Sequence, residues 1–135
     1  TQFCMLVSHL CRAPIACLFA FDGPERPAVK RGRKVFTNEP DYFQLSRRLI
    51  KAFNFNIHDA RGDADAALAV FNKFGAVDAV LTKDGDVFPF GAPCILRVNM
   101  YVIFSKTYLL AESTPSKLVV DIYHARDIRR QLGLT

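Results

Sequence analysis

The sequence lacks an apolar run approaching the ~20 residues that a membrane-spanning helix needs. Its longest, Ile15 to Phe21, is seven residues and stops at Asp22. No secretory leader pattern is visible. The four cysteines (Cys4, Cys11, Cys17 and Cys94) have no C-x-x-C spacing, so neither a zinc ribbon nor a thioredoxin-type motif is supported. They are expected to be small buried hydrophobes in a reducing compartment. No internal repeat, low-complexity segment or phosphate-cradling glycine loop is present, and Gly62-Asp63 and Gly85-Asp86 are too short to form such a loop. No Ser/His/Asp or Cys/His order suggests a nucleophilic triad. With 50% apolar and 23% charged residues, the chain is not a disordered tail. Its 135 residues suit one domain, and a chain of this size buries roughly 65–70% of its unfolded surface. It starts at Thr1 rather than Met, so it is expected to begin inside a larger reading frame or to have been processed.

What is present is a modest basic excess, +5 with a pI near 9.2, which is compatible with a polyanionic partner. Arg26, Lys30, Arg31, Arg33 and Lys34 place five positive charges within nine residues. Arg47, Arg48 and Lys51 form a second cluster, and Arg126, Arg129 and Arg130 a third. The plain reading is a solvated loop and two solvated helix faces. The first cluster follows an apolar strand directly and so projects from a strand end, where open α/β sheets carry their sites.

Apolar spacing predicts helices over residues 2–12, 42–54, 63–74 and 125–132, with Gly75 and Gly133 as stops. Continuous or alternating apolar stretches predict strands at 15–21, 55–58, 77–82, 94–98, 101–108 and 118–123, and the first suits a strand buried on both faces. Residues 24–40 read as a basic, Pro- and Gly-containing loop. The alternation gives an α/β fold with a mainly parallel sheet.

Three acidic signals fall at strand ends or helix starts. Asp22 follows the first strand, Asp63 and Asp65 open the alanine-rich helix, and Asp84 and Asp86 follow the next strand around Gly85. In a parallel sheet, strand carboxyl ends share one edge, so these groups are expected to lie along it. Clustered carboxylates repel one another unless a cation sits among them. Hard oxygen ligands in an open site suit Mg²⁺ or Mn²⁺, and two such ions ~4 Å apart can drive phosphodiester hydrolysis. Singly, Asp63 and Asp65 also read as favourable charges at a helix N-terminus, and Asp22 and Asp84 as turn residues. At i and i+2, Asp63 and Asp65 converge only if the first lies at the start of the helix. His9 and His124 read as packing or surface residues, and His58 as a weak ligand candidate.

These residues resemble a known family. Leu18-Phe19-Ala20-Phe21-Asp22-Gly23, followed by Pro24, Arg26, Pro27 and the basic run, is similar to the end of the N-terminal region of XPG-type structure-specific nucleases. Gly62-Asp63-Ala64-Asp65-Ala66 resembles their internal G-E-A-E-A motif. Val77 to Ala92, with Asp84-Gly85-Asp86-Val87-Phe88-Pro89-Phe90-Gly91-Ala92, resembles their strand and D-G-D-x-F-x-F-G-A segment. The wording is more like the Holliday-junction-resolvase branch than the flap-endonuclease branch.

The resemblance implies a PIN-like, Rossmann-like three-layer domain over residues 1–135, with a central sheet incomplete at both ends. It implies a nuclear, divalent-metal-dependent endonuclease that cuts flapped or branched DNA, using two Mg²⁺ ions for which Mn²⁺ substitutes. Asp22, Asp63, Asp65, Asp84 and Asp86 would be the catalytic, metal-holding carboxylates, and Lys30, Arg31, Arg33 and Lys34 would contact DNA phosphates. A metal-activated water would be the nucleophile. The chain departs from the family where Asp63 and Asp65 replace two glutamates, each shorter by one methylene. Further family carboxylates would fall upstream of Thr1 and downstream of Leu134. The alternatives are a degenerate module that binds branched DNA without cutting it, and a PIN-type ribonuclease.

Overall fold

The structure is a computed structural model that describes residues 2–27, 29–30, 32–34, 41–98 and 118–134. Along the chain the elements are α1 (Gln2–Arg12), β1 (Leu18–Phe21), β2 (Val29–Lys30), β3 (Arg33–Lys34), α2 (Asp41–Ala52), β4 (Asn56–Asp59), α3 (Ala64–Lys73), β5 (Val80–Leu81), β6 (Cys94–Val98), β7 (Val120–His124) and α4 (Ala125–Gln131). Two compact units divide the chain, Thr1–Ala67 and Leu68–Thr135, and the division falls inside α3.

In the first unit, the apolar stripe of α1 buries Val7 and Leu10, and α2 buries Ile50. β1 pairs in parallel with β4, from Leu18 opposite Asn56 to Phe21 opposite Asp59. Aromatic rings line this pair: Phe19 lies 6.1 Å from Phe3 and 5.6 Å from Phe55, and Phe21 lies 5.5 Å from Phe43. The Arg47 guanidinium sits 4.0 Å above the Phe21 ring and pairs with Asp59 at 2.6 Å. Arg47 therefore packs, while Arg48 and Lys51 of the same cluster are exposed. α2 ends on Asn54 at φ 59°, with the Phe55 N–H donating to the Ile50 carbonyl at 3.1 Å and the Asn54 N–H to that of Lys51 at 2.9 Å. This Schellman closure satisfies the last carbonyls of α2 and leads straight into β4.

The predicted loop at 24–40 contains a small antiparallel hairpin, β2–β3, with Val29 opposite Lys34 and Lys30 opposite Arg33. Arg31 and residues 35–40 lie outside the described residues.

In the second unit, β5 pairs in parallel with β6, and β6 pairs antiparallel with β7. Ala69, Val80, Val87, Ala92 and Ile95 form its core, with Leu68 and Phe88 packed against them. Gly75, at φ 74°, closes α3, with the Ala76 N–H reaching the Phe71 carbonyl at 2.8 Å and the Gly75 N–H that of Asn72 at 3.2 Å. Asn72 is polar and buried, 6% exposed. Its Nδ2 donates to the Val77 carbonyl at 3.0 Å, and its Oδ1 accepts the Cys94 N–H at 2.9 Å. One amide thus ties α3 to the approach to β5 and to the start of β6.

The mixed α/β architecture with parallel strand pairs agrees with the sequence reading, and three details differ. β1 is shorter than the predicted 15–21 and its residues are only partly buried, because the chain turns at 13–15, where the Ala13 and Ile15 N–H groups bond locally. The predicted strand 77–82 shrinks to Val80–Leu81 because the Ala76 and Val77 N–H groups are still tied to the end of α3. Of the cysteines expected to be buried, Cys4 and Cys11 are exposed, Cys17 and Cys94 are half-buried, and all four are free thiols. The predicted strand 101–108 lies outside the described residues.

Asn72→Ala removes this partner from the part-buried Cys94 N–H and Val77 carbonyl, which costs about 1 kcal/mol. The expected outcome is a lower urea midpoint at unchanged slope. Burial, and secondarily the nearby Cys11 thiol, raises the Cys17 pKa, and burial raises that of Cys94. A raised folded pKa contributes stability at low pH that is lost as pH climbs past the free-thiol value of about 8.5. Alkylation should therefore reach Cys17 and Cys94 at distinctly higher pH than it does in the urea-unfolded chain, as peptide mass mapping would show.

Candidate metal centre

The exit of β1 turns on Gly23. Its N–H donates to the Gly62 carbonyl at 2.7 Å, the Ala60 N–H to Phe21 at 3.0 Å and the Glu25 N–H to Arg61 at 2.9 Å. A β-carbon at position 23 would overlap the carbonyl oxygens of Ala60 and Arg61. Glycine is what lets two backbones meet here. The contact sets Asp22 against the start of α3.

The Asp22 Oδ1 accepts the Ala64 N–H at 2.9 Å. Asp63, one residue before the helix, accepts the Asp65 N–H on its Oδ1 at 3.0 Å. Two carboxylates thus satisfy two of the free donors of the first turn of α3, where negative charge meets the positive end of the helix. Asp63 meets the condition set by its spacing, since it precedes the first helical residue, Ala64. The Asp22 Oδ2 is held by the Arg26 Nη1 at 2.9 Å, and the Arg26 Nε donates to the Gly23 carbonyl at 3.2 Å. An open cleft of about 410 Å³ adjoins these groups, walled by Phe19, Phe21, Tyr42 and Phe43, with Asp22 and Asp65 on its lining.

The second unit carries the other acidic pair. The Thr82 Oγ1 accepts the Asp84 N–H at 3.1 Å, and the Asp84 Oδ1 accepts the Asp86 N–H at 3.1 Å. The Arg97 Nη2 donates to the Lys83 carbonyl at 3.1 Å. Val87, fully buried, anchors the loop to the core just after Asp86. Asp84 is exposed and Asp86 half-buried. Both D-x-D segments use the same device: the first aspartate's Oδ1 receives the second one's N–H, which fixes its carboxylate against the backbone.

The structure thus brings Asp22, Asp63 and Asp65 to one helix start, and Asp84 and Asp86 to one loop. Within neither unit, among the described residues, do three His, Cys, Asp or Glu groups stand close enough to hold an ion. Asp22 is turned towards Arg26, and Asp63 towards the helix. By donor chemistry the set fits a hard cation, being all carboxylate oxygen. Asp22 has a protein donor on each oxygen, and one of the two is the Arg26 guanidinium, whose charge opposes a cation there. Of the basic residues, Lys30 and Arg33 lie opposite each other in the hairpin register, Lys34 is exposed, and Arg31 is outside the described residues. The third basic cluster is a solvated helix face, with Arg126 and Arg130 in exposed pairs with Asp127 at 3.7 and 3.3 Å. The sequence reading missed the roles of Arg26, Thr82 and Asn72. Only Arg26 carried a signal, its i+4 spacing from Asp22.

Among known proteins, the XPG I-region family matches residues 54–135, more than half of the chain. This chain belongs to that family. The XPG I-region relatives include the flap endonuclease GEN-like 1 of Arabidopsis thaliana, 33% identical over 53% of this chain and 12% of its own length. The flap endonuclease GEN of Drosophila pseudoobscura pseudoobscura is 29% identical over 77% of this chain and 13% of its own. The chain therefore spans a small part of these curated relatives. Among solved structures, the catalytic core of Rad2 in complex with DNA substrate aligns with a TM-score of 0.72 at 29% identity, over 98% of this chain and 40% of that one. The Holliday junction-resolving enzyme GEN1 with product DNA and Mg²⁺ aligns with a TM-score of 0.65 at 31% identity, over 96% and 27%. The α/β fold of the sequence reading agrees with this membership, and two of its three motifs, at 62–66 and 77–92, fall within the matched residues.

Gly23→Ala must push the β1 exit away from Ala60 and Arg61. We expect a loss of about 3 kcal/mol, the upper end for overpacking, with faster hydrogen exchange at the Ala64 amide as Asp22 withdraws from it.

Proposed function

We propose that the chain is a single XPG-type nuclease domain that hydrolyses phosphodiesters in flapped or branched DNA, in the nucleus, with two Mg²⁺ ions that Mn²⁺ can replace. The observation that carries this reading is the pairing of Asp22 and Asp63 on one helix start, within a chain of the XPG I-region family. Asp63, Asp65, Asp84 and Asp86 would hold the cations, and Asp22 would join them once its bond to Arg26 opens. Bound ions of this kind lower the pKa of water and neutralise charge gathering on a phosphate. The protein's own part is orientation, since backbone N–H groups fix Asp63 and Asp84 before any ligand arrives. Lys30, Arg31, Arg33 and Lys34 would grip phosphates, giving affinity and position rather than base reading.

A second reading is a binding module that keeps the fold and the basic hairpin without cutting. The Arg26–Asp22 pair and the shortened Asp63 and Asp65 favour it. It requires branched-DNA binding that is independent of divalent metal and falls steeply with salt.

The deciding experiment is cleavage of 5′-flap and four-way-junction DNA by the intact protein, beside its Asp84→Asn, Asp86→Asn double variant. We expect metal-dependent products, reduced at least about 100-fold in the variant, equivalent to ~3 kcal/mol of lost transition-state stabilisation. Unchanged cleavage by the variant would contradict the nuclease reading. Metal-independent binding without products would establish the binding module, and preference for RNA would move the chain to the ribonuclease class.

A further inference from the structure

We infer that Arg26 competes with a divalent cation for Asp22, holding that carboxylate closed until a metal displaces it. The inference rests on the metal-dependent reading above and concerns how this chain's own residues gate it. Each oxygen of the Asp22 carboxylate accepts a protein donor: the Ala64 N–H on Oδ1 at 2.9 Å and the Arg26 Nη1 on Oδ2, also at 2.9 Å. The first donor is a neutral amide and leaves room for a further contact on the same oxygen. The second is a full positive charge. A divalent cation on the same oxygen would sit within ion-pair distance of that guanidinium, where like charges repel strongly even through water.

Arg26 is not loosely placed. Its Nε is anchored on the Gly23 carbonyl at 3.2 Å, so two bonds close a small ring across the turn that Gly23 makes possible. The Arg26 and Asp22 side chains are 21% and 34% exposed, and solvent screens the pair less than a fully exposed one. A guanidinium does not lose its proton in a protein. Arg26 therefore clears the site only by swinging out, and the competition follows metal concentration. Asp63 and Asp84 each accept a neutral backbone N–H. Arg26 is thus a positioning residue. Without metal it keeps the Asp22 carboxylate aligned on α3, and with metal it is the group that must leave.

The test is Mn²⁺ binding by calorimetry to the 135-residue chain, with the melting temperature of each variant recorded with and without Mn²⁺. The variants are Arg26→Gln, Arg26→Lys, Asp22→Asn and the Asp22→Asn, Arg26→Gln double. We expect Arg26→Gln to bind Mn²⁺ tighter by on the order of five- to tenfold, the effect of one full charge at ion-pair distance in a largely aqueous medium. It should melt lower than the parent without metal and gain more from Mn²⁺, because ligand stabilisation grows with affinity. Arg26→Lys, which keeps the charge, should bind like the parent. In the double variant the gain should vanish, because the oxygen that Arg26 vacates is no longer a carboxylate. Equal or weaker binding by Arg26→Gln, or a gain that survives Asp22→Asn, overturns the inference and leaves the metal reading standing. Absence of Mn²⁺ binding in every folded variant overturns the metal reading and this inference with it.

Discussion

The first unit depends on one close approach, the backbone of Gly23 against Ala60, Arg61 and Gly62. No side chain fits between them. Three backbone bonds close the junction, Gly23 to Gly62, Ala60 to Phe21 and Glu25 to Arg61. The Ala60–Phe21 bond continues the parallel pairing of β1 and β4, and the other two, which leave that register, keep the two segments in contact beyond the strands. Asp22 and the start of α3 are thereby neighbours although 42 positions separate Asp22 from Ala64. A backbone contact of this kind is stiff, which suits a carboxylate that must be placed before a ligand comes.

That junction also explains the electrostatics. A helix N-terminus offers unpaired N–H groups, and here two of them are answered by carboxylates rather than by water. Asp22 then carries a second bond, to Arg26, from the same turn. The result is that Asp22 is paired with a charge from its own turn, and no three ligating groups converge among the described residues. The D-x-D loop at Asp84 follows a parallel logic in the second unit, with Thr82 and the Asp86 N–H fixing Asp84, and Val87 pinning the loop to the core. Rigid backbone placement of carboxylates, with a basic hairpin carried on the first unit, is the physical content of the proposed nuclease function.

Much of this was legible in the sequence. Helical spacing located α1 because its buried Val7 and Leu10 recur at a helical interval. Gly75 marked the end of α3 because a residue at positive φ is needed there. The acidic positions were legible through their turn and cap chemistry and their motif order. Strand length was less legible: Val77 looks like strand, but its N–H belongs to the end of α3, a bond between segments that periodicity does not register. The roles of Asn72 and Arg26 were hidden for the same reason. A buried Asn reads as a surface residue until the carbonyl and amide it joins are brought together. An Arg in a basic cluster reads as a solvated charge until a carboxylate is found beside it.

The central claim is the one proposed above, that the carboxylates fixed at the start of α3, and those fixed in the Asp84 loop, hold divalent cations. Mn²⁺ broadens the resonances of nearby nuclei, so the direct measurement is the amide spectrum of the 135-residue chain during a substoichiometric Mn²⁺ titration. The account predicts that the amides of Ala64, Asp65, Gly85 and Asp86 broaden first, while those around the surface carboxylates Asp121 and Asp127 stay sharp. Broadening that favours Asp121 and Asp127, or that spreads evenly over all exposed carboxylates, would contradict it.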